Sequence, residues 1–485
     1  MSHENLGYWS NYIDGLWCDA IDGQRITVDD PATGKSIAEV ARGREGDIHA
    51  AVLAARRAFD ARTLVDMKPS DRGRILHRVA DELSADAVNV ARIVCFDTGK
   101  AISVAREEVQ TAIRYLRYYA GLADTIEGKS IPRGAGFANF TVRSPYGVSA
   151  QVVPWNFPLE LTARSLACAI ATGNTVVIKS PELAPLSGMV IAKACAAADV
   201  PAGCVNIVSG YGHDAGTSLV SHSGIDHIVF TGSLQTGRSV LRQAAERIIP
   251  CIMELGGKSA AIVYEDADMD DVMKAVVAGA FMNSGQNCNA LTRIIVHRTR
   301  RDELIGRLAH LVSTMTIGAG IDDCDITPLI SRQQLTNVSS MCEKATASGL
   351  RSIHGGEVLA ECAGYFMSPT VFVDVPIHAS IAQNEVFGPV VCVTAFSTPA
   401  EAVSMANGTN FGLASGVFSK DVNLALWTAD QLWSGQVYVN GWFVGSVETP
   451  FGGVKQSGYG REKGREALDG YLQTRNIGIK IGLPR

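Results

Sequence analysis

Residues 174–179, "NTVVIK", and residues 204–209, "CVNIVS", are short β-branched runs that predict two buried strands. Residues 185–198, which lie between them, have the length and pattern of a helix. A strand, a helix and a second strand in that order form a parallel βαβ unit, which indicates a doubly wound sheet. Three further strand-like runs continue the alternation: "VSAQVV" (148–153), "HIVFTG" (227–232) and "CIMEL" (251–255).

A second alternation of strands and helices begins at "SAAIVY", residues 259–264. It continues through a helix predicted near residues 268–283, which Asp268 can cap and Gly285 would end. Residues 120–145 are rich in glycine and alternate in a β pattern towards their end, which predicts a hairpin that leaves the main sheet. The sequence therefore predicts an α/β fold of two doubly wound α/β domains with a small projecting β arm.

The bulk composition is that of an ordinary globular protein. The chain has 485 residues, of which 47% are hydrophobic and 19% charged, and its length suggests roughly two to four domains. A formal net charge of -6 without a Lys/Arg run gives no support to a nucleic-acid partner or to a polybasic membrane contact. We therefore expect a small molecule as the main partner.

The cysteines and the N-terminus bear on the compartment. The eleven cysteines are scattered singly without a C-x-x-C pair, which argues against a disulfide framework and a zinc ribbon. We therefore expect no metal site and a reducing compartment. The N-terminus has no apolar signal region, and no run reaches the roughly 18 apolar residues of a membrane span. These features predict a cytoplasmic protein.

Three polar or reactive side chains lie at the ends of β segments, where α/β sheets build their sites. Cys288 ends the turn "NSGQNC", Asn156 lies between two prolines in "PWNFP", and Glu254 precedes two glycines in "MELGGKS". A nucleophilic cysteine needs an oxyanion donor and a base, and an amide and a carboxylate can supply them. Each residue also has a plain structural interpretation: a buried thiol, a turn-forming amide and a solvated strand end.

A nucleotide site is indicated after the run "HIVFTG", although the G-x-G-x-x-G fingerprint is missing there. Gly232 and Ser233 follow the strand, and Gly237 enters the next helix, whose free N–H groups and dipole suit a pyrophosphate. Lys179 and Glu182 follow an earlier strand, where an acidic residue can accept hydrogen bonds from ribose hydroxyls. The alternative for this Lys–Glu pair is an exposed loop.

In this order, these motifs resemble the aldehyde dehydrogenase superfamily. The resemblance implies a nucleotide-binding domain (1–119 and 143–255), a catalytic domain (256–472) and an oligomerisation arm (120–142 and 473–485). It also implies a homodimer or homotetramer. Eight blocks over about 310 residues carry it: "PWNFP", "TGNTVVIKSPELAP", "VFTGS", "MELGGKS", "NSGQNC", "AQNEVFGPV" (382–390), "NFGLASGVFSKD" (410–421) and "PFGGVKQSGYGRE" (450–462).

The resemblance implies a chemical role for each of the three side chains. Cys288 would be the nucleophile that forms a thiohemiacetal and then a thioester with the aldehyde. The amide of Asn156 and the backbone N–H of Cys288 would hold the oxyanion. Glu254 would activate the water that hydrolyses the thioester, which argues against a member that transfers the acyl group to CoA.

The resemblance also implies a dinucleotide cofactor. Lys179 and Glu182 would hold the adenosine ribose, and Ser233 the pyrophosphate. Glu182 favours NAD because a carboxylate repels a 2′-phosphate, although Lys179 could soften this preference and NADP stays the alternative. The remaining residues assigned to the cofactor are Trp155, Gly232, Gly237, Leu255, Glu385 at the nicotinamide ribose and Phe387 beside the nicotinamide.

Arg164 is the most informative residue of the predicted substrate pocket. Succinate-semialdehyde dehydrogenases have an Arg at this place, where a guanidinium can grip a carboxylate, and a Ser like Ser446. Their second Arg, however, corresponds to Met282 here. Benzaldehyde- and vanillin-type members share the Arg. Alternatively, Arg164 pairs with a structural carboxylate such as Glu160.

Aromatic side chains favour a large substrate. Phe157, Trp442 and Phe443 would suit an aromatic ring. We therefore predict the oxidation of an aromatic or otherwise bulky aldehyde, with a semialdehyde of the succinate type as the alternative. The pocket residues assigned through the resemblance are Phe157, Leu161, Arg164, Met282, Phe443, Ser446 and Phe451.

Overall fold

Two largely parallel sheets, each flanked by helices, form the framework of the computed structural model, which describes residues 5–482. The α/β class predicted from the sequence is confirmed. Residues 1–4 and 483–485, the outer ends of the predicted nucleotide-binding segment and of the predicted arm, lie outside the described residues.

The strands within residues 5–482 are numbered in chain order. They are β1 Tyr8–Trp9, β2 Asn11–Ile13, β3 Leu16–Cys18, β4 Arg25–Asp30, β5 Lys35–Ala41, β6 Phe137–Pro145, β7 Val148–Val152, β8 Thr175–Ser180, β9 Val205–Ser209, β10 His227–Thr231, β11 Cys251–Glu254, β12 Ser259–Val263, β13 Leu291–His297, β14 Arg351–His354, β15 Thr370–Val373, β16 Val390–Phe396, β17 Phe411–Gly412, β18 Ala414–Phe418, β19 Gln436–Val439, β20 Val454–Lys455, β21 Gly458–Tyr459 and β22 Leu472–Lys480.

The α-helices of the same residues are also numbered in chain order. They are α1 Glu45–Asp60, α2 Pro69–Ala85, α3 Ala87–Thr98, α4 Ile102–Leu122, α5 Pro158–Thr172, α6 Leu186–Ala197, α7 Thr217–Ser221, α8 Leu234–Ala245, α9 Met269–Val276, α10 Arg301–Thr314, α11 Arg332–Ala347, α12 Ser380–Gln383, α13 Pro399–Asn407, α14 Val422–Gln431 and α15 Ala467–Gly470. In the part of the chain that is described, no helix combines the length and the apolar character needed to cross a membrane.

The first sheet has the strand order β21-β11-β10-β7-β8-β9-β2-β3, and its five central strands are parallel. Every residue of β8 and β9 is buried, because helices cover both faces, and their sequences are therefore β-branched runs rather than alternating ones. The chain passes from β7 through β8 to β9 and then returns to β10 on the other side of β7. Such a reversal opens a crevice at the carboxyl ends of the strands.

The second sheet has the order β14-β15-β16-β13-β12-β18-β19, in which β14 alone among these seven strands is antiparallel to its neighbour. The short segment Leu255–Lys258 connects the last residue of β11 to the first residue of β12. The carboxyl edge of the first sheet consequently adjoins the amino edge of the second.

The arm differs from the predicted local hairpin. Strand β6 pairs along its whole length with β22 from the other end of the chain, from Phe137 opposite Lys480 to Pro145 opposite Leu472. Within residues 120–145 only the bridge between Ser130 and Phe140 and its flanking hydrogen bonds resemble a hairpin. Pro132, which lacks an N–H donor, interrupts longer pairing there.

The helix predicted near residues 268–283 is shorter than expected. Asp268 caps it as predicted, since its Oδ1 accepts a hydrogen bond of 3.0 Å from the Asp270 N–H, but α9 ends at Val276. A π-helical turn, Val277–Phe281, and a 3-10 turn, Met282–Gly285, follow it. The α-helix cannot continue through this turn because three successive residues, from 283 to 285, have a left-handed backbone.

The predicted domain boundaries stay a prediction. Strand β21, which falls in the predicted catalytic segment 256–472, completes the first sheet beside β11. Strand β6 begins inside the predicted arm segment 120–142 and ends three residues beyond it, at Pro145.

Candidate active site

A cavity of about 790 Å³ lies where the carboxyl edge of the first sheet meets the amino edge of the second. Asn156, Glu254 and Cys288 all line it. Asn156 follows β7 and Glu254 ends β11, as expected for a crevice at carboxyl ends. Cys288 instead precedes the amino end of β13, so it approaches from the second sheet.

Asn156 lies between the end of β7 and the start of α5 and is almost fully buried. Its Nδ2 donates a hydrogen bond of 3.2 Å to the backbone oxygen of Gln286, two residues before Cys288. An amide nitrogen has two hydrogens, so one remains for an oxyanion. The contact with Gln286 ties the oxyanion donor directly to the turn that carries the thiol.

The turn before Cys288 is held by its own amides, which the sequence analysis did not identify as functional. Asn283 Nδ2 donates to the backbone oxygens of Asn156 (3.3 Å) and Gln286 (3.4 Å). Gln286 Nε2 donates to the Asn283 oxygen at 3.1 Å, and its Oε1 accepts from the Ile330 N–H at 2.9 Å. The sequence signal that could have identified them was the amide-rich composition of "NSGQNC". The hydrogen bonds that these amides form are apparent only in the folded turn.

Cys288 is half-buried, and its sulfur faces the cavity. Burial raises the pKa of the Cys288 thiol to about 12, and the neighbouring carboxylates of Glu254 and Glu385 act in the same direction. Arg164 and Lys463 oppose this rise. The free thiol is therefore protonated at neutral pH, and its reaction requires removal of that proton.

Glu254 is a buried carboxyl group whose two oxygens find no hydrogen-bond partner among the described residues 5–482. Burial raises the pKa of Glu254 to about 8, against the opposing charges of Arg164, Arg461 and Lys463. A carboxyl group with a pKa near neutrality can both accept and release a proton at physiological pH, as a general base requires. This geometry does not fit the solvated strand end that was the alternative.

A glycine lets the two sheets approach at this point. A Cβ on Gly257 would lie 2.6 Å from the backbone oxygen of Cys288, which is closer than van der Waals contact. The second glycine of "MELGGKS" thus allows the Cys288 turn to pack against the link between β11 and β12.

The residues predicted to hold a cofactor fall into two groups. Six of them line the same cavity as Cys288: Trp155, Gly232, Ser233, Leu255, Glu385 and Phe387. The rings of Trp155 and Phe387 meet edge to face with centroids 5.3 Å apart. Lys179, Glu182 and Gly237 do not line this cavity.

Lys179 is buried at the end of β8, and its Nζ forms an ion pair of 2.6 Å with Glu182. The exposed-loop alternative for Lys179 is therefore wrong. Burial acts to raise the pKa of Glu182, but Lys179 and backbone N–H donors outweigh it, so that the pKa is lowered. Glu182 is consequently an ionised acceptor at neutral pH.

The start of α8 has the features of an anion site. Ser233 caps the helix by accepting a hydrogen bond of 3.2 Å from the Thr236 N–H. A Cβ on Gly237 would lie 2.5 Å from Leu255 Cδ2, so this glycine permits the first turn of α8 to pack against the end of β11.

Glu385 Oε1 accepts a hydrogen bond of 3.1 Å from the Gly257 N–H, and burial raises the pKa of Glu385 to about 7.

All seven predicted pocket residues line the cavity: Phe157, Leu161, Arg164, Met282, Phe443, Ser446 and Phe451. Trp442, which was expected beside an aromatic ring of the substrate, instead packs into the core of the second sheet. Its Nε1 donates a hydrogen bond of 3.1 Å to the backbone oxygen of Asn289. Trp442 therefore supports the chain next to Cys288 from behind.

Arg164 is buried and forms an ion pair with Glu462. Ser165 Oγ donates a hydrogen bond of 3.1 Å to the other oxygen of Glu462. The alternative of a structural carboxylate is thus supported, but the partner is Glu462 and not Glu160. The charge of Arg164 is already balanced before any substrate binds.

Lys463, beside Glu462, also lines the cavity and was not identified from the sequence. Its position in "GREKG" resembles that of an ordinary surface lysine, and only the fold turns it inward. Among residues 5–482, no group of three or more His, Cys, Asp or Glu side chains is placed to hold a metal ion.

Comparisons with known proteins identify the family of the chain. The family model described as "Aldehyde dehydrogenase family" matches residues 17–477. An aldehyde dehydrogenase of Aspergillus niger is 39% identical over 473 residues, which cover 97% of this chain and 95% of that protein.

Solved structures agree over nearly the whole chain. The NAD+ complex of aldehyde dehydrogenase from Bacillus cereus is 37% identical, with a TM-score of 0.96 over 98% of this chain and 97% of that one. A betaine aldehyde dehydrogenase mutant from Staphylococcus aureus, in complex with NAD+, is 32% identical, with a TM-score of 0.96 over 98% of each chain. The cysteine, amide and carboxylate that line this cavity thus lie in a chain that belongs to the aldehyde dehydrogenase family.

Proposed function

We propose that this protein oxidises an aldehyde to the carboxylic acid, with NAD as the hydride acceptor and Cys288 as the nucleophile. The observation that carries the proposal is the convergence of Cys288, Asn156 and Glu254 on one cavity, where the carboxyl group of Glu254 has no partner within residues 5–482. Burying a carboxyl group without a hydrogen-bond partner lowers the stability of the fold, and such a group beside a thiol is typical of a catalytic site.

The residues around the cavity fit a dinucleotide. The capped start of α8 offers backbone N–H groups to a pyrophosphate, and the ionised carboxylate of Glu182 offers acceptors to ribose hydroxyls. Glu385, which lines the cavity between these groups and Cys288, offers a second carboxyl group for a ribose. NAD, when bound, supplies the acceptor for the hydride that leaves the substrate carbon.

The first chemical task of the chain is to form a covalent adduct. Once its proton has passed to a water molecule of the cavity, the Cys288 sulfur attacks the carbonyl carbon, and the carbonyl oxygen becomes the oxyanion of a thiohemiacetal. The free N–H of the Asn156 amide is placed to hold this oxyanion, a contribution worth roughly 3–4 kcal/mol per donor. Asn156 cannot turn away readily, because its other N–H is bonded to Gln286.

The second task is hydrolysis of the thioester that remains after oxidation. Glu254 takes a proton from a water molecule, and the resulting hydroxide attacks the thioester carbon. The carbon–sulfur bond breaks, the carboxylic acid leaves, and Cys288 regains its thiol. A carboxyl group with its pKa raised to about 8 is a stronger base than a solvated glutamate, which suits this step.

We propose NAD rather than NADP as the cofactor. The Lys179–Glu182 pair neutralises much of the lysine charge, so Lys179 is not free to bind a 2′-phosphate. The carboxylate of Glu182 would repel such a phosphate.

The aromatic and apolar lining favours an aromatic or otherwise bulky aldehyde. Phe157, Leu161, Phe443 and Phe451 lie on the substrate side of the cavity. The semialdehyde alternative through Arg164 loses support, because Glu462 already holds this guanidinium. The assembly as a homodimer or homotetramer, through the exposed β6–β22 arm, and the cytoplasmic location both stay predictions.

A simple assay tests the proposal. The purified protein is mixed with NAD and a panel of aromatic and aliphatic aldehydes, with and without CoA, while NADH absorbance is followed. We expect NADH formation without CoA and recovery of the free acid. A requirement for CoA would replace hydrolysis by acyl transfer, and no NADH with any aldehyde of the panel would exclude the dehydrogenase activity.

A further inference from the structure

Lys463 lies on the wall of the cavity that contains Cys288, next to Phe451, a residue predicted for the substrate pocket. Its backbone has a left-handed conformation (φ 61°), which is uncommon for a residue other than glycine, asparagine or aspartate. The neighbouring Glu462 fixes this conformation, because its backbone exchanges hydrogen bonds of 2.7 Å and 2.5 Å with Phe451. The strand-like bridge thus turns the lysine side chain into the cavity.

Three of the other cations near the cavity already have anionic partners. Arg164 pairs with Glu462, Arg114 pairs with Glu448 at 3.4 Å, and Lys100 pairs with Glu108. Arg461, in contrast, donates to the backbone oxygens of Gly453 and Gly460, and Lys344 on α11 lines the cavity without an ion pair among residues 5–482. None of the ion pairs formed within residues 5–482 includes Lys463. Its ammonium lies over the rings of Phe451 (5.2 Å) and Tyr115 (5.8 Å) instead.

The ammonium of Lys463 is also close enough to the reacting groups to affect them. It opposes the rise in the pKa of Cys288 and in the pKa of Glu254. Cys288, Phe451 and Lys463 line the same cavity, so an aldehyde attached to the Cys288 sulfur shares this space with the ammonium. Aromatic faces beside an ammonium leave its hydrogens available to an anionic acceptor.

We propose that Lys463 binds an anionic group of the substrate, and that the preferred aldehydes carry a carboxylate on the part remote from the aldehyde carbon. Together with the aromatic walls, this specifies the substrate class as a carboxylated aromatic or similarly bulky aldehyde. The inference rests on the proposed dehydrogenase function and narrows its substrate. It assigns to Lys463 the role that the sequence suggested for Arg164.

Glu160 is the main negative charge that would oppose the binding of an anionic substrate group at Lys463. It lines the same cavity. Burial lowers the pKa of Lys463, Glu160 opposes this lowering, and Arg164 adds to it. Glu160 lies in the first turn of α5, where the helix dipole stabilises a carboxylate, and it does not form an ion pair with Lys463. If Glu160 governed binding instead, a cationic aldehyde would be preferred, so the test includes one.

The experiment compares three benzaldehydes of similar size: 4-carboxybenzaldehyde, 4-methylbenzaldehyde and 4-(trimethylammonio)benzaldehyde. We expect the parent protein to prefer the carboxylated compound in kcat/KM by about tenfold or more, since a charge-assisted hydrogen bond is worth about that factor or more. In Lys463→Met, kcat/KM for the carboxylated compound should fall about 10- to 100-fold. The methyl compound reports how far the lost charge beside Cys288 and Glu254 lowers kcat/KM for any aldehyde. The ratio of kcat/KM for the carboxylated compound to that for the methyl compound should therefore fall about tenfold or more.

Two variants serve as controls. Lys463→Arg keeps the positive charge and should retain most of the preference. Lys420→Met removes an exposed lysine just after the carboxyl end of β18. It should leave kcat/KM unchanged for both substrates. If Lys463→Met is not stable, the parent protein gives a second measurement. The ketone 4-acetylbenzoate should then protect Cys288 from iodoacetamide at concentrations at which the neutral 4-methylacetophenone does not.

The outcomes separate the two proposals. Oxidation of the aldehydes without a preference for the carboxylate, an equal loss on both substrates in Lys463→Met, or a preference for the cationic compound would each overturn the role of Lys463. Equal protection by 4-acetylbenzoate and 4-methylacetophenone would overturn it as well. A parent protein that oxidises no aldehyde would instead remove the dehydrogenase function, and this inference with it.

Discussion

The buried ammonium of Lys100 donates a hydrogen bond of 2.8 Å to the backbone oxygen of Asn156. Lys100 is also paired with Glu108, which is buried as well. The second oxygen of Glu108 accepts hydrogen bonds from the Leu159 and Glu160 N–H groups at the start of α5. A charged pair beneath the cavity therefore fixes the segment that carries the proposed oxyanion donor.

Replacing Lys100 by methionine should destabilise the protein by about 3–5 kcal/mol, because it leaves the Glu108 carboxylate buried without its partner. The free energy of unfolding is measured by urea denaturation. The matched variant Lys100→Met/Glu108→Gln removes the unpaired charge and should recover part of the loss. A Lys100→Met protein as stable as the parent would show that Glu108 is not ionised in the fold.

Glu254→Gln should allow one turnover of NADH and then stop. The amide cannot take a proton from water, so Cys288 would remain acylated. Rapid mixing measures the burst, which should approach one NADH for each active site, and mass spectrometry of the intact protein measures the acyl group. Cys288→Ala is the control and should give neither. Steady turnover of Glu254→Gln at the parent rate would assign the base elsewhere.

The pH dependence follows from the raised pKa of Glu254. Below about pH 8 this carboxyl group is largely protonated and cannot act as a base, so the hydrolysis of the thioester should accelerate as the pH rises through about 8. The rate of acyl-enzyme breakdown, followed from pH 6 to 9.5, should show this limb in the parent protein. A flat profile would contradict the assignment.

The carboxyl group of Glu254 should also make the free energy of unfolding decrease as the pH rises. The folded state holds the Glu254 proton more tightly than the unfolded chain, in which the pKa is near its ordinary value of 4.5. Its contribution to stability is therefore complete below about pH 4.5 and is lost as the pH rises through about 8. Relative to the parent, Glu254→Gln should gain stability between pH 5 and pH 9.

The side-chain amide of Asn283 should contribute more to kcat than its left-handed backbone conformation does. Asn283→Gly retains the left-handed backbone (φ 52°) but removes the bonds to Asn156 and Gln286. We expect kcat to fall about tenfold in Asn283→Gly with little change in KM, because Asn156 and Cys288 lose their mutual alignment. Asn283→Ala adds backbone strain and should also be less stable. Normal kcat in the glycine variant would limit Asn283 to a conformational role.

Much of the first sheet and of the site could be predicted from local sequence, because a fully buried strand leaves a continuous β-branched run. Cys288, Asn156 and Glu254 were singled out because each lies within three residues of a proline or glycine and close to a β segment. The partner of Arg164 could not be found in this way, since Glu462 is 298 positions further along the chain and meets Arg164 only after folding.

The remaining errors have related causes. Trp442 has the character of a binding residue, but its ring fills the space beneath the Cys288 turn. Lys463 resembles a surface lysine, and its inward direction depends on the pairing of Glu462 with Phe451. The α9 helix was predicted too long because its apolar pattern continues through residues 277–281, which form a π-helical turn instead.

The cofactor preference gives the last prediction. Glu182→Gln keeps a hydrogen-bond acceptor for a ribose hydroxyl but removes the negative charge that would repel a 2′-phosphate, and it frees Lys179 from its ion pair. Both effects favour NADP, so we expect the ratio of kcat/KM for NADP to that for NAD to rise about tenfold or more.

The matched control for this change is Glu82→Gln, which removes an exposed carboxylate from α2 and should leave the ratio unchanged. The two cofactors are compared at one aldehyde concentration and at two ionic strengths, because the effect of a partly exposed charge should shrink as salt is added. If the ratio in Glu182→Gln equals that of the parent, the 2′ position does not approach Glu182, and the adenosine end of the cofactor must lie elsewhere.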